Sequence, residues 1–195
     1  MKIYAFTDIH SNMKILNKVI EIATKKKVDF IVTPGDLTLF SEGLSKILKK
    51  LKGNIPVIAL HGNHEDENEM KKICHELGII FLHKATFEIN DYIFIGYGGD
   101  GFSREDKELE SFIKKIKISK NKKIITLTHA PPYGTKLDYV PNIGFSGCKS
   151  VNKMIKKFKP ILHLCGHLHE NFGARDKIGN TIILNPGNIG ITIDI

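Results

Sequence analysis

An α/β fold with a mixed sheet is what this 195-residue sequence predicts. In both halves of the chain, apolar runs of strand length alternate with segments whose apolar residues recur at helical spacing. Between and after these units lie runs that read as hairpin strands, which makes the expected sheet mixed rather than purely parallel. A third observation concerns chemistry. Five of the apolar runs end in residues that can ligate a metal or move a proton: Asp8-Ile9-His10, Gly35-Asp36, Gly62-Asn63-His64-Glu65, Thr128-His129 and Gly166-His167-Leu168-His169.

Residues 2–7 form the first expected strand. Residues 13–26 carry Ile15, Leu16, Val19, Ile20, Ile22 and Ala23 on one helical face. Residues 29–33 are the next strand, stopped by Pro34-Gly35-Asp36. A helix over 42–51 has Leu44, Ile47, Leu48 and Leu51 on one side, and is followed by a strand at 55–60 and a helix over about 68–77. The pattern then changes. Residues 85–89 and 92–97, separated by Asn90-Asp91, read as a β-hairpin. A glycine-rich loop at 98–101 precedes a helix over about 107–117, a strand at 123–128 and a long Pro- and Gly-containing loop at 130–145. A helix near 150–157 ends before Pro160, and strands at 161–165, 181–184 and 191–195 complete the chain. No linker, repeat or low-complexity stretch interrupts it, so one domain over 1–195 is expected.

Composition bounds the function. The charge of +8 comes almost wholly from Lys, since Arg104 and Arg175 are the only arginines. The lysines are scattered over expected helix faces, which reads as a solvated surface that can draw in anionic substrates. It lacks the clustered basic patch with Arg or aromatic readout that nucleic-acid binding uses. No run approaches the roughly 18 apolar residues of a membrane helix, and residues 1–7 have no signal-peptide pattern. The expectation is a cytoplasmic protein with no membrane partner. Cys74, Cys148 and Cys165 are odd in number without CxxC spacing, as expected of reduced structural thiols.

Ligands of open α/β sheets bind beyond the carboxyl ends of the strands, and all five motifs lie at such ends. Asp8 and His10, like His167 and His169, are two positions apart, a spacing that in extended chain points both side chains to one side. Carboxylate, imidazole and amide donors suit Mn, Fe, Zn or Co better than a soft thiolate set would. Two nearby divalent cations need an anionic bridge, which Asp36 can supply.

Taken together and in order, these motifs resemble the calcineurin-like metallophosphoesterases, with agreement across residues 8–169. The second half, through His129-Ala130-Pro131-Pro132, Gly147-Cys148, Gly166-His167-Leu168-His169-Glu170 and Asn185-Pro186-Gly187, is similar to the small cap-less and cyclic-nucleotide-phosphodiesterase-like members. Gly35-Asp36-Leu37-Thr38 departs from the Gly-Asp-x-x-Asp-Arg-Gly of protein phosphatases. The resemblance implies a four-layer αββα sandwich of two mixed sheets flanked by helices. It implies two divalent metal ions, manganese foremost, with iron, zinc, nickel, cobalt or magnesium as alternatives. Asp8, His10, Asp36 and His169 would hold one ion, and Asp36, Asn63, His129 and His167 the other. His64 would serve the leaving oxygen as catalytic acid. The activity implied is hydrolysis of phosphodiesters, or phosphomonoesters, of small substrates such as nucleotides, by a metal-bridged hydroxide. The alternatives are a non-catalytic metal-binding scaffold for protein interactions, and a nuclease, which the charge of +8 favours but the lack of length for an added DNA-clamping domain disfavours.

Outside the motifs, Glu65 and Glu170 are candidates to orient ligand imidazoles, with plain solvation as the alternative. His61, His75 and His83 read as surface or loop residues, His163 as a satisfied structural histidine, and Asn185-Pro186-Gly187 as a turn beneath the site. Tyr133, Phe102 and Tyr139 are candidates to stack on a base, and Lys136 and Arg104 to pair with phosphate.

Overall fold

The computed structural model describes residues 1–99, 101–118 and 121–195; Asp100 of the expected 98–101 loop lies outside the described residues. Strands β1 (Lys2–Ala5), β2 (Phe30–Thr33), β3 (Val57–Ala59) and β4 (Ile80–Phe81) run parallel as neighbours. The last strand, β13 (Ile191–Asp194), closes that sheet antiparallel to β1. The second sheet has the order β11-β12-β10-β7-β6-β5. In it β12 (Thr181–Leu184), β10 (Leu162–Leu164), β7 (Lys123–Thr128) and β6 (Tyr92–Tyr97) are parallel, while β11 (Arg175–Ile178) and β5 (Ala85–Ile89) pair antiparallel at the two edges.

The period of two along each strand divides the apolar side chains between three cores. Tyr4, Ile31, Val57 and Ala59 face outward onto α1 (Met13–Lys26), α2 (Leu44–Leu51) and α3 (Glu67–Leu77), where Leu16, Val19, Leu48, Met70 and Cys74 are buried. Ile3, Ala5, Phe30, Val32 and Ile58 face the other way, onto Phe94, Ile125, Leu127, Leu162 and Leu164 of the second sheet. The far side of that sheet presents Ile93, Ile95 and Ile183 to α4 (Lys107–Lys115) and α5 (Lys149–Phe158), which bury Leu109, Ile113, Val151, Met154 and Phe158. Three cores between four layers make the expected αββα sandwich. Each fully buried Leu, Ile or Phe contributes about 1.5–3 kcal/mol, so the strand ends rest on a stiff platform.

Helix starts follow side-chain caps that the sequence supplies. The Asn12 side chain accepts from the Lys14 and Ile15 N–H groups, Asp66 from Glu69 and Asp106 from Leu109. The 55–60 run is shorter as a strand than expected, although Ile31 N–H still donates to Pro56 O and Leu60 N–H to Thr33 O beyond its ends. The expected 130–145 loop contains a hairpin of β8 (Tyr139–Val140) and β9 (Gly144–Phe145), whose two-residue strands are too short to show alternation. Charged edge strand β11 escaped for the converse reason: Arg175, Asp176 and Lys177 give no apolar run. No helix among the described residues is long and apolar enough to cross a membrane.

Candidate metal centre

The loops that leave β1, β2, β3, β7 and β10 deliver the eight residues expected at the site to one place between the carboxyl ends of the two sheets. They do not arrive in extended chain, which corrects the period-two expectation for Asp8 with His10 and for His167 with His169. Asp8 (φ 54°), His10 (φ 43°), Asp36 (φ 52°) and His167 (φ 72°) are all left-handed, and His169 opens a short 3-10 turn, His169–Asn171. A non-glycine residue held left-handed costs about 1–2 kcal/mol, and such residues concentrate where the fold over-determines them. Here backbone bonds do so: Asp8 N–H donates to Gly35 O at 3.1 Å and His10 N–H to Asp36 O at 3.2 Å. Two glycines permit the close approach. A Cβ on Gly62 would stand 2.1 Å from Asp36 Oδ1, and one on Gly166 would stand 2.4 Å from Asp8 Oδ2.

The donors form two groups that meet at Asp36. In the first, His10 Nε2 and His169 Nε2 are 2.9 Å apart, and Asp8 Oδ1 lies 3.6 Å from the His169 nitrogen and 4.0 Å from the His10 nitrogen. In the second, Asn63 Oδ1 is 3.0 Å from both His129 Nε2 and His167 Nδ1. Asp36 Oδ2 reaches both, 3.9 Å from His10 Nε2 and 3.4 Å from His129 Nε2. Its other oxygen accepts from the His64 N–H at 3.0 Å. The His64 ring packs edge-on to His10, with centroids 4.9 Å apart, and its donor atom falls in one group with those of His10 and Asp36.

The donor set fits divalent cations, as the protons show. The outer nitrogens of two rings face backbone carbonyls: His10 Nδ1 is 3.3 Å from Thr38 O, and His129 Nδ1 is 3.1 Å from Pro34 O. A ring that donates Nδ1–H to a carbonyl turns Nε2 inward as a ligand. At His129, which is wholly buried, Nε2 also faces acceptors, Asp36 and Asn63. Burial pulls that imidazole down, but the hydrogen bond and charge of Asp36, with Asp8 and Glu65 behind it, outweigh burial and hold the ring at about 9. Burial pushes Asp36 up, but His129 and the His64 N–H prevail and hold the carboxyl down at about 2. A proton on His129 thus occupies the position that a cation would take, and a divalent ion held there would face the same acceptors in its place. In the first group burial pushes His10 down, whereas the Asp8 hydrogen bond pushes His169 up. That is one proton between two facing nitrogens.

Around these groups some expectations change. Among the described residues Glu65 forms no hydrogen bond or ion pair with an imidazole. Its buried carboxylate accepts the backbone N–H groups of Asp36 (3.0 Å), Thr38 (2.8 Å) and Gly62 (2.9 Å) and the Thr38 hydroxyl (2.8 Å), tying the β2 and β3 loops together. Glu170 is exposed. Asn185 donates to Leu168 O and Gly187 O accepts from Thr7 N–H, so this turn does underlie the site. His163 is satisfied as expected, with Thr126 and Thr128 hydroxyls at 2.8 and 3.2 Å. His61 and His83 are not surface residues: His61 is 6% exposed and the His83 side chain 4%. Nothing in the sequence around them signals burial, because each follows its strand rather than lying in it. With Glu67 they form a third group of donor type. It is unsuited to a metal, since Gly98 N–H donates to His83 Nδ1 at 2.9 Å, which leaves the proton of the neutral ring on Nε2. Tyr133 is engaged by Arg104 and Lys149 over its ring, and Arg104 also donates to Phe145 O.

Paired aspartate and histidine donor groups sharing one carboxylate, at the strand ends of an αββα sandwich, define a metal-dependent phosphoesterase. The chain matches the calcineurin-like phosphoesterase family model over residues 1–171 and belongs to that family. It is 34% identical over 200 residues to the uncharacterized protein MJ1162 of Methanocaldococcus jannaschii, covering 95% of this chain and 88% of that one. The structure of TT1561 from Thermus thermophilus superimposes with a TM-score of 0.80 at 18% identity, covering 96% of this chain and 89% of that one. A novel archaeal phosphodiesterase superimposes with a TM-score of 0.56 at 21% identity, covering 96% and 84%.

Proposed function

We propose that residues 1–195 act as one domain that hydrolyses phosphodiesters of small, nucleotide-like substrates with two divalent cations, manganese foremost. The observation that carries this reading is the position of Asp36, whose Oδ2 lies 3.9 Å from His10 Nε2 and 3.4 Å from His129 Nε2. Asp8, His10, Asp36 and His169 would hold one ion, and Asp36, Asn63, His129 and His167 the other. When bound, such a pair would supply charge neutralisation of the phosphate and a lowered pKa for a water molecule at the site. Asp36, already anionic and held by the His64 N–H, limits the repulsion between the cations. The His10 and His129 rings stay oriented by the Thr38 and Pro34 carbonyls. The His64 side chain, beside His10 and free of the carbonyl contacts that fix His10 and His129, gives its proton to the leaving oxygen. The scattered lysines draw the anionic ester in over long range.

A substrate panel tests the proposal. Mn²⁺-loaded protein should hydrolyse aryl phosphodiesters and dinucleotides faster than the matching monoesters. Protein that binds two ions and turns over no phosphate ester would overturn it in favour of a binding scaffold.

A further inference from the structure

The His64 imidazole lacks the anchor that orients its neighbours. Nδ1 of His10 and of His129 faces a backbone carbonyl, whereas Nδ1 of His64 is buried with no hydrogen-bond partner among the described residues. Packing takes the place of that bond. The imidazole lies against two rings, His10 and Phe40, each with its centroid 4.9 Å away, at interplanar angles of 85° and 62°. Phe40 is 83% exposed, so burial does not account for a phenylalanine at this position. Its backbone is left-handed at φ 49°, a conformation that a bulky side chain rarely adopts. Strain of this kind persists where neighbouring bonds over-determine it, and it gathers at functional sites. Here the bonds run to the residue that Phe40 packs on. Ser41, also left-handed at φ 60°, donates its N–H to His64 O at 2.8 Å, and its Oγ accepts from Asp66 N–H at 2.9 Å. The phenyl ring and the imidazole thus extend from two loops that are bonded to each other beside the rings.

We propose that Phe40 is a positioning residue for His64. Packed on the imidazole, it fixes the direction in which the ring nitrogen gives up its proton to the oxygen of the departing P–O bond. The inference rests on the reading of His64 as that proton donor. Without the phenyl ring the imidazole can turn about its two side-chain torsions, and a misplacement of about 1 Å costs a positioned step about 10²-fold. Reactions whose leaving group needs no proton escape that loss. A substrate ring stacked on Phe40 would produce the opposite pattern, because only esters with an aromatic leaving arm would then suffer.

The test uses two monoesters of methylphosphonic acid with Mn²⁺-loaded protein. The 4-nitrophenyl ester carries a ring and leaves as a stable anion. The trifluoroethyl ester carries no ring, and its alkoxide needs a proton. Phe40→Ala should lower kcat about 10²-fold for the trifluoroethyl ester and little for the nitrophenyl ester, with KM unchanged for both. Phe40→Tyr keeps a ring on the imidazole and should restore the rate. Because Phe40 acts through His64, the double variant Phe40→Ala/His64→Ala should be no slower than His64→Ala alone. The exposure of the phenyl ring means that its removal empties no core. A larger loss on the nitrophenyl ester, equal losses on both, or losses that multiply in the double variant overturn this inference alone. His64→Ala that slows both esters equally overturns the reading of His64, and the inference with it. A loaded wild type that hydrolyses neither ester overturns the reading of the centre as well.

Discussion

His10 and His169 are 159 positions apart in sequence, yet their Nε2 atoms are 2.9 Å apart, with Asp8 Oδ1 beside both. Two imidazole nitrogens at that distance share one proton or one cation. With a second donor group built the same way around Asn63, the pairing turns two sheets into a single site. Its consequences can be measured.

Asp36 is the carboxylate common to both groups, so Asp36→Asn should lower metal occupancy and turnover together. The amide removes the negative charge between the ions and places an NH₂ where His129 or the His64 N–H now finds an acceptor. Metal analysis alongside steady-state kinetics decides. A variant that keeps two ions and the wild-type rate would show that Asp36 does not bridge.

His64→Ala separates proton donation from binding. Both ions should remain, while hydrolysis slows by about 10²–10⁴, the usual range for a lost general acid. The loss should be smallest for nitrophenolate, which needs little protonation, and largest for an alkoxide such as a ribose oxygen. Equal losses on both would remove the acid role.

Glu65→Gln tests what joins the β2 and β3 loops. All four of its partners are donors, so an amide NH₂ must face one of them across a buried gap. A loss of about 1–3 kcal/mol in urea unfolding is expected. Unchanged stability would mean that the loops are held by other bonds.

The metal-free protein should be most stable near pH 6.5. Burial holds His163 and His83 down at about 3 and His61 at about 4. Below pH 6.5 the unfolded chain therefore takes up protons that the folded chain refuses. Stability is full above that pH and falls toward pH 4, by up to about 1.4 kcal/mol per pH unit for each ring. His129 has the opposite sign: held at about 9, it stabilises the fold fully below pH 6.5 and loses that contribution as pH rises through 9. Unfolding followed from pH 4 to 10 should show both limbs without metal; Mn²⁺, which displaces the His129 proton, should remove the decline between pH 6.5 and about 8.5 and leave the fall above it, where the unfolded chain ionises the Cys74, Cys148 and Cys165 thiols that burial keeps protonated in the fold. A flat profile without metal would contradict these shifts.

Much of this was legible in the sequence, for a physical reason. Strands buried on both faces, such as the Ile3 to Phe6 and Ile125 to Leu127 runs, need unbroken apolar residues. Polar donors at their ends then stand out, which is how Asp8, His10, Asp36, Asn63, His64, His129, His167 and His169 were found. The means of their convergence was hidden. Left-handed φ at Asp8, His10, Asp36 and His167 is imposed by tertiary hydrogen bonds, and no local pattern encodes it. Glu65 stands out in the sequence only as part of a motif. Burial of His61 and His83 depends on how two loops close over each other.

The most direct test of two cooperating ions is metal titration of stripped protein, following hydrolysis of bis(4-nitrophenyl) phosphate together with metal content. Stripped protein should be inactive, and Mn²⁺ should restore turnover to a plateau at about two equivalents per chain, the stoichiometry of a two-metal site. Undiminished hydrolysis by the stripped protein, or the full rate at about one equivalent, would contradict the account.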